Sequence, residues 1–193
     1  EGWWTRAMLQ GWLNRVVSEP PEEMLGALEH ALDETTAPLT EAHGVPLMLF
    51  GNVLPDPAAA ELLESCGARV VADDLCTGSR QLTHVGGDAA TPVMERLARS
   101  LLGRPLCART VVPGDGQALA DQVLEAARAA NVRGAVAHVL KFCDPYLLRM
   151  PYIRERFRRE GMPLLVLEGD CTLRSLGQQR TRIEAFVEML EEA

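Results

Sequence analysis

GAVAHVLKFCDPY, residues 134–146, is the stretch on which the fold turns. Residues 134–142 are almost continuously apolar and rich in Val and Ala, which predicts a short strand buried on both faces. The run stops at Cys143-Asp144-Pro145. Upstream, QALADQVLEAARAAN (117–131) repeats its apolar residues at helical spacing and predicts an amphipathic helix. Downstream, PYIRERFRREG (151–161) predicts a helix that opens near Pro151 and closes at Gly161. PLLVLEGD (163–170) is then a further buried strand, followed by a last helix over about 177–191. Helices and buried strands in strict alternation are the order of a parallel sheet joined by crossovers.

The same order continues toward the N-terminus. VPLMLF (45–50) predicts a strand stopped by Gly51-Asn52. Asp56 is placed to cap a helix PAAAELLESC (57–66), and ARVVAD (68–73) is a strand running into Asp73-Asp74-Leu75-Cys76-Thr77-Gly78. A helix over 21–42 opens at Pro20-Pro21, TPVMERLARSLLG (91–103) reads as a helix capped by Thr91, and RPLCARTVVPGDG reads as a loop. The expected fold is therefore α/β: a flavodoxin-like (Rossmann-type) parallel four-stranded sheet with helices on both faces, in the order 2-1-3-4. Residues 1–19, with Trp3, Trp4 and Trp12 beside Met8, Leu9 and Leu13, read as an apolar helix or linker from a preceding domain that this sequence lacks. Residues 20–193 read as the C-terminal α/β domain.

Composition narrows the partners. With 27 acidic against 19 basic residues the net charge is −8, and no basic stripe suits nucleic acid. Arg154, Arg156, Arg158 and Arg159 alternate with Glu155 and Glu160, the pattern of a solvated helix face. No apolar run approaches the roughly 20 residues that span a bilayer. Five cysteines without a CxxC pair suit a reducing cytoplasm.

Ligands of an open parallel sheet bind beyond the carboxyl ends of its strands. Those ends carry Gly51-Asn52, Asp73-Asp74-Leu75-Cys76, Lys141-Phe142-Cys143-Asp144 and Glu168-Gly169-Asp170-Cys171. Cys76, Cys143 and Cys171 thus share one edge, while Cys66 and Cys107 fall elsewhere. Two readings stay open: cysteines acting as small buried hydrophobes, or thiolates converging on a metal or cluster. The spacings match no compact ligand motif. His138, inside an apolar strand, reads as a core histidine. No glycine-rich phosphate loop is present, so no nucleotide is expected to bind directly. Gln178, Arg180, Thr181, Arg182 and Glu184 form a polar cluster that either caps the last helix and pairs charges or takes an anion such as a coenzyme A phosphate.

DDLCTGSR (73–80), LKFCDPY (140–146) and LEGDCTLRSLGQQRTRIEAFVEML (167–190) resemble the 2-hydroxyacyl-CoA dehydratase D-component family, which includes benzoyl-CoA reductase subunits. The resemblance runs from about residue 45 to the end. It implies a subunit with two flavodoxin-like domains around an oxygen-sensitive cluster, usually [4Fe-4S], held by three cysteines. Two of these belong to the N-terminal domain and one to the KFCD-type segment, here Cys143. Cys76 is a second candidate ligand, and no ligand is expected at Cys171. Asp73, Asp74, Lys141 and Asp144 would orient a ligand or tune the cluster. Thr77, Ser79 and Arg80, with Gln178, Arg180 and Arg182, would meet substrate, coenzyme A or a neighbouring domain.

The implied partners are an ATP-dependent activator protein, a second dehydratase subunit or homodimer mate, and a CoA thioester substrate. The implied reaction is radical loss of water from a 2-hydroxyacyl-CoA after one-electron reduction. A benzoyl-CoA reductase-like or double-cubane-type reductase subunit is the nearest alternative, and a non-catalytic α/β partner-binding module the alternative of another class. Because the other two cysteines of the pattern lie outside this sequence, the stretch alone is not expected to turn over.

Overall fold

Five buried residues in succession, Leu47–Gly51, leave β1 (Val45–Gly51) no face to turn to water, and it takes the middle of the sheet. The computed structural model describes residues 4–34, 43–82, 84–88, 90–110, 115–171 and 176–192. In it β1 pairs in parallel with β2 (Ala68–Leu75) on one side and β3 (Gly134–Leu140) on the other. β3 in turn pairs with β4 (Leu164–Gly169), giving the order β2-β1-β3-β4. This is the expected 2-1-3-4 sheet.

Alternate β1 side chains feed two cores. Val45, Leu47 and Leu49 pack with Leu62 and Leu63 of α3 (Pro57–Ser65) and with Ile183, Val187 and Leu190 of α7 (Leu176–Glu192). Met48 and Phe50 pack on the other face. There they meet Leu119, Val123 and Leu124 of α5 (Ala118–Ala129) and Ile153 and Phe157 of α6 (Asp144–Arg159). Each of these fully buried leucines stabilises the fold by roughly 1.5–3 kcal/mol.

Asp56 caps α3 as its sequence predicts, accepting the Ala58 N–H at 3.0 Å with Pro57 in the first turn. α2 (Pro21–Glu34) opens at Pro21, and residues 35–42 of the helix expected there lie outside the described residues. Thr91 does not cap its helix. Pro92 disfavours a helical residue before it, so α4 (Val93–Leu102) begins two positions later without a side-chain cap.

The larger difference is α6. Sequence reasoning opens it at Pro151, but it begins at Asp144, directly after Cys143, and carries Pro151 in its interior. Proline there removes the bond to the carbonyl four residues back. That residue, Leu147, is exposed, so water can serve its carbonyl. β3 is correspondingly shorter than the predicted run and stops at Leu140.

α1 (Arg6–Val16) lies against α3 and β2. Arg6, Ala7, Gln10 and Leu13 of its inner face are buried, and Thr5 caps it by accepting the Met8 N–H at 3.1 Å.

Candidate functional site

The strand order reverses between β1 and β3, and in an open α/β sheet ligands bind at such a switch point. Gly51 closes β1 there with φ at +129°, and a Cβ on it would lie 2.0 Å from the His138 carbonyl oxygen of β3. Only glycine permits that approach. The next residue, Asn52, donates its backbone N–H to the same carbonyl at 3.0 Å, and its own carbonyl accepts the Cys76 N–H at 3.4 Å. Its side chain, 3% exposed, reaches the other way: Oδ1 accepts the Leu140 N–H at 3.0 Å and Nδ2 donates to Cys143 Sγ at 3.1 Å. One buried asparagine thereby ties the loop after β2 to the turn after β3.

That turn is tight. Lys141 and Phe142 reverse the chain, and Phe142 takes a left-handed φ of +64°, uncommon for a bulky residue. Its ring is 92% exposed. Cys143 follows as the cap residue of α6, half-buried against the α5–α6 core, its carbonyl accepting the Leu147 N–H at 3.0 Å. Lys141 and Asp144 are exposed on either side.

Cys76 is half-buried after β2, with Sγ 3.8 Å from the Gly51 carbonyl oxygen. Its thiol pKa is raised. Burial is the main cause, Cys107 adds to it, Arg80 and Arg109 oppose it, and Asp74 contributes least. The adjoining carboxylate is therefore a minor influence here.

Asp73 and Asp74 part company. The register shift after Leu47 leaves Val71 as an extra residue and sets Asp73 beside Leu49 and Asp74 beside Phe50, on opposite faces of the sheet. Asp73 turns to the α1 side, where it meets Arg6 at 3.4 Å and accepts the backbone N–H groups of Leu75 and Ser79. Gln10 donates to the Thr77 carbonyl, and the Thr77 hydroxyl accepts the Leu54 N–H. α1 and this loop thus form one bonded unit.

Asp74 turns to the α6 side and grips Arg80 at 2.5 and 2.8 Å, while Arg80 also donates to the carbonyls of Pro105 and Leu106. Beyond them opens a cleft of about 970 Å³ lined by Asp74, Cys76, Ser79, Arg80 and Cys107 among others. Cys107, which the sequence places apart, therefore shares a wall with Cys76. Tyr146 lies 2% exposed, with its hydroxyl lacking a hydrogen-bond partner among the described residues. Burial pushes that phenol far above its ordinary pKa, and Asp74 adds to the effect.

The remaining expected contacts find their partners away from Cys76 and Cys143, and Arg180 reaches Cys66 Sγ at 3.8 Å. Gln178 is exposed on α7. Arg180 donates to Ser65 Oγ at 3.0 Å and pairs with Glu184, and Arg182 donates to the Val166 carbonyl at 2.7 Å. Their partners are on α3, α7 and β4. Cys171 is exposed after β4, and Cys66 is buried at the end of α3. His138 is wholly buried with Nε2 3.0 Å from the Asp170 carbonyl, as a core histidine should be. Asn52 and Cys107 escaped sequence reasoning. Asn52 was visible as the residue ending the first strand, but nothing in its neighbours says where its amide points.

A cluster needs several thiolates, and among the described residues no three His, Cys, Asp or Glu side chains converge to hold a metal ion. The described residues fit such a group at one corner, through a half-buried thiol that already accepts an N–H.

A four-stranded parallel sheet with cysteines at its switch point defines an α/β domain of thiol-bearing type. The chain belongs to the 2-hydroxyglutaryl-CoA dehydratase, D-component family, which matches residues 4–190. It is 31% identical over 147 residues to the (R)-phenyllactyl-CoA dehydratase beta subunit of Clostridium sporogenes, covering 76% of this chain and 38% of that one. It is 27% identical over 156 residues to the lactoyl-CoA dehydratase subunit beta of Anaerotignum propionicum, covering 79% and 40%. The chain thus spans about two-fifths of the length of these curated relatives. No helix among the described residues is long and apolar enough to cross a membrane.

Proposed function

We propose that this chain is the part of a 2-hydroxyacyl-CoA dehydratase subunit that contributes Cys143 as one ligand of an iron–sulfur cluster. The observation that carries the reading is the Cys143 sulfur itself. It is held at the switch point of the sheet and receives the Asn52 N–H at 3.1 Å, in a segment that the family match covers. Thiolate sulfur suits iron–sulfur centres. The ligands needed to complete the set come from outside the described residues, with Cys76 as the nearest second candidate within them.

The relatives are subunits of dehydratases named for phenyllactyl- and lactoyl-CoA, so the substrate class is a CoA thioester with a hydroxyl on the carbon next to the carbonyl. When bound, the cluster, taken as [4Fe-4S], supplies a single low-potential electron, which an ATP-dependent activator delivers. The chain's own residues do the positioning. The β1–β3 junction fixes the sulfur, and Tyr146 packs the first turn of α6 into the core beside the sheet. The Asp74–Arg80 pair braces the wall of the cleft beside Cys76. Being named beta subunits, the relatives also point to a second dehydratase subunit as partner.

The test is iron and acid-labile sulfide per chain in the intact protein, purified without oxygen, beside its Cys143→Ala variant. Iron and sulfide that disappear in the variant support the reading. Equal metal in both removes Cys143 from the site, and no metal in either, even after reconstitution, supports a partner-binding module instead.

A further inference from the structure

We infer that Asn52 is a positioning residue for Cys143, holding the sulfur through its side-chain N–H and raising the potential at which the site accepts an electron. This rests on the reading of Cys143 as a cluster ligand.

The orientation of the Asn52 amide is fixed by bookkeeping of donors and acceptors. Its oxygen accepts the Leu140 N–H at 3.0 Å, and rotating the amide by half a turn would set its NH2 against that N–H, donor against donor. The nitrogen must therefore face Cys143 Sγ, where it lies at 3.1 Å. The backbone cannot drift either, since Asn52 N–H is spent on the His138 carbonyl and its own carbonyl on Cys76 N–H. Gly51 brings β1 so close to β3 that a side chain at that position would collide with the same carbonyl. The residue is 3% exposed, so water does not compete for its N–H.

A sulfur carrying negative charge accepts such an N–H more strongly than a neutral thiol does. Metal-bound thiolates gain electron density when their site is reduced. A buried N–H aimed at one therefore favours the reduced state over the oxidised one, which raises the potential. Removing the donor should make the site harder to reduce, without removing a ligand. A purely structural role for Asn52 would alter stability and iron retention but leave the potential of the retained site unchanged.

Two substitutions separate the contributions. Asn52→Asp keeps an oxygen for the Leu140 N–H but loses the donor to sulfur and brings a negative charge. Asn52→Leu loses the donor without adding charge. Both are compared with the unaltered protein and with Cys143→Ala, in intact protein purified without oxygen, by iron and sulfide content and by a spectroscopic redox titration. The expectation is that both Asn52 variants retain iron and that Asn52→Leu is about tenfold less reduced at the midpoint of the unaltered protein. For a one-electron couple that is about 59 mV more negative. Asn52→Asp should shift further in the same direction.

Iron-loaded Asn52→Leu with an unshifted midpoint overturns the inference. If that variant does not fold, an unshifted midpoint in Asn52→Asp overturns it instead. Iron that survives Cys143→Ala, or is absent from the unaltered protein, overturns the ligand reading and the inference with it. Loss of iron in Cys143→Ala together with unmoved Asn52 variants leaves the ligand reading standing and removes Asn52 alone.

Discussion

Replacing Gly51 by alanine puts the close approach of β1 to β3 to a direct test. The added Cβ would lie 2.0 Å from the His138 carbonyl oxygen, 2.9 Å from its carbon and 3.1 Å from its nitrogen. All three are backbone atoms, so no side chain can swing away. Relief requires the ends of the two strands to separate by more than about 1 Å, which stretches the Asn52 N–H bond to His138 and the Leu140 N–H bond to Asn52. Two hydrogen bonds are worth about 2 kcal/mol together. A non-glycine residue at φ +129° costs roughly 1–3 kcal/mol more. The expected loss is about 3–5 kcal/mol, a large part of the roughly 5–15 kcal/mol of a typical domain. Urea unfolding of Gly51→Ala measures it, with Gly11→Ala as the control. Gly11 lies within α1 with nothing inside 4 Å of its would-be Cβ, so that change should stabilise by about 0.5–1 kcal/mol. A Gly51→Ala protein within about 1 kcal/mol of the parent would refute the argument that this junction is sterically closed.

Three further outcomes are expected. Tyr146→Phe should leave stability unchanged or raise it by up to about 1 kcal/mol, because the hydroxyl is buried without a partner among the described residues; a loss above about 1 kcal/mol in thermal unfolding would contradict this. Phe142→Asn should stabilise the chain by about 1 kcal/mol, since the left-handed backbone favours asparagine and the residue is 92% exposed among the described residues; a destabilised variant in the same assay would show that the ring contributes to the fold. Burial lowers the pKa of His138 below 6.5, although its bond to the Asp170 carbonyl opposes the shift. Its neutral form belongs to the folded state, so this contribution is complete above pH 6.5 and is lost as the pH falls from there toward the depressed folded value. Urea midpoints measured between pH 5 and 8 should fall toward acid, and His138→Gln should flatten that slope.

The sheet was legible because each strand is a short apolar run between breakers, and a doubly covered parallel sheet asks for nothing subtler. Pro151 misled because a proline near a charged helical stretch resembles a first turn. The edge that carries Cys76 and Cys143 followed from listing strand ends. The roles of Asp73 and Asp74 did not, because one extra residue at Val71 sets which carboxylate faces which side, and no local pattern announces it. Asn52 and Cys107 meet the other site residues only through contacts distant along the chain. The Asn52–Cys143 bond, for instance, joins residues 91 apart.

That separation has a kinetic side. Closing a loop of 91 residues costs about 4 kcal/mol of chain entropy from its length dependence alone. Little of it is repaid until β1 and β3 have zipped together along their length. Local pieces such as α3 or α5 can form early, whereas the thiol at residue 143 acquires its amide partner only when the two central strands dock. Until that docking the Cys143 sulfur is without the Asn52 N–H that holds it in the finished fold.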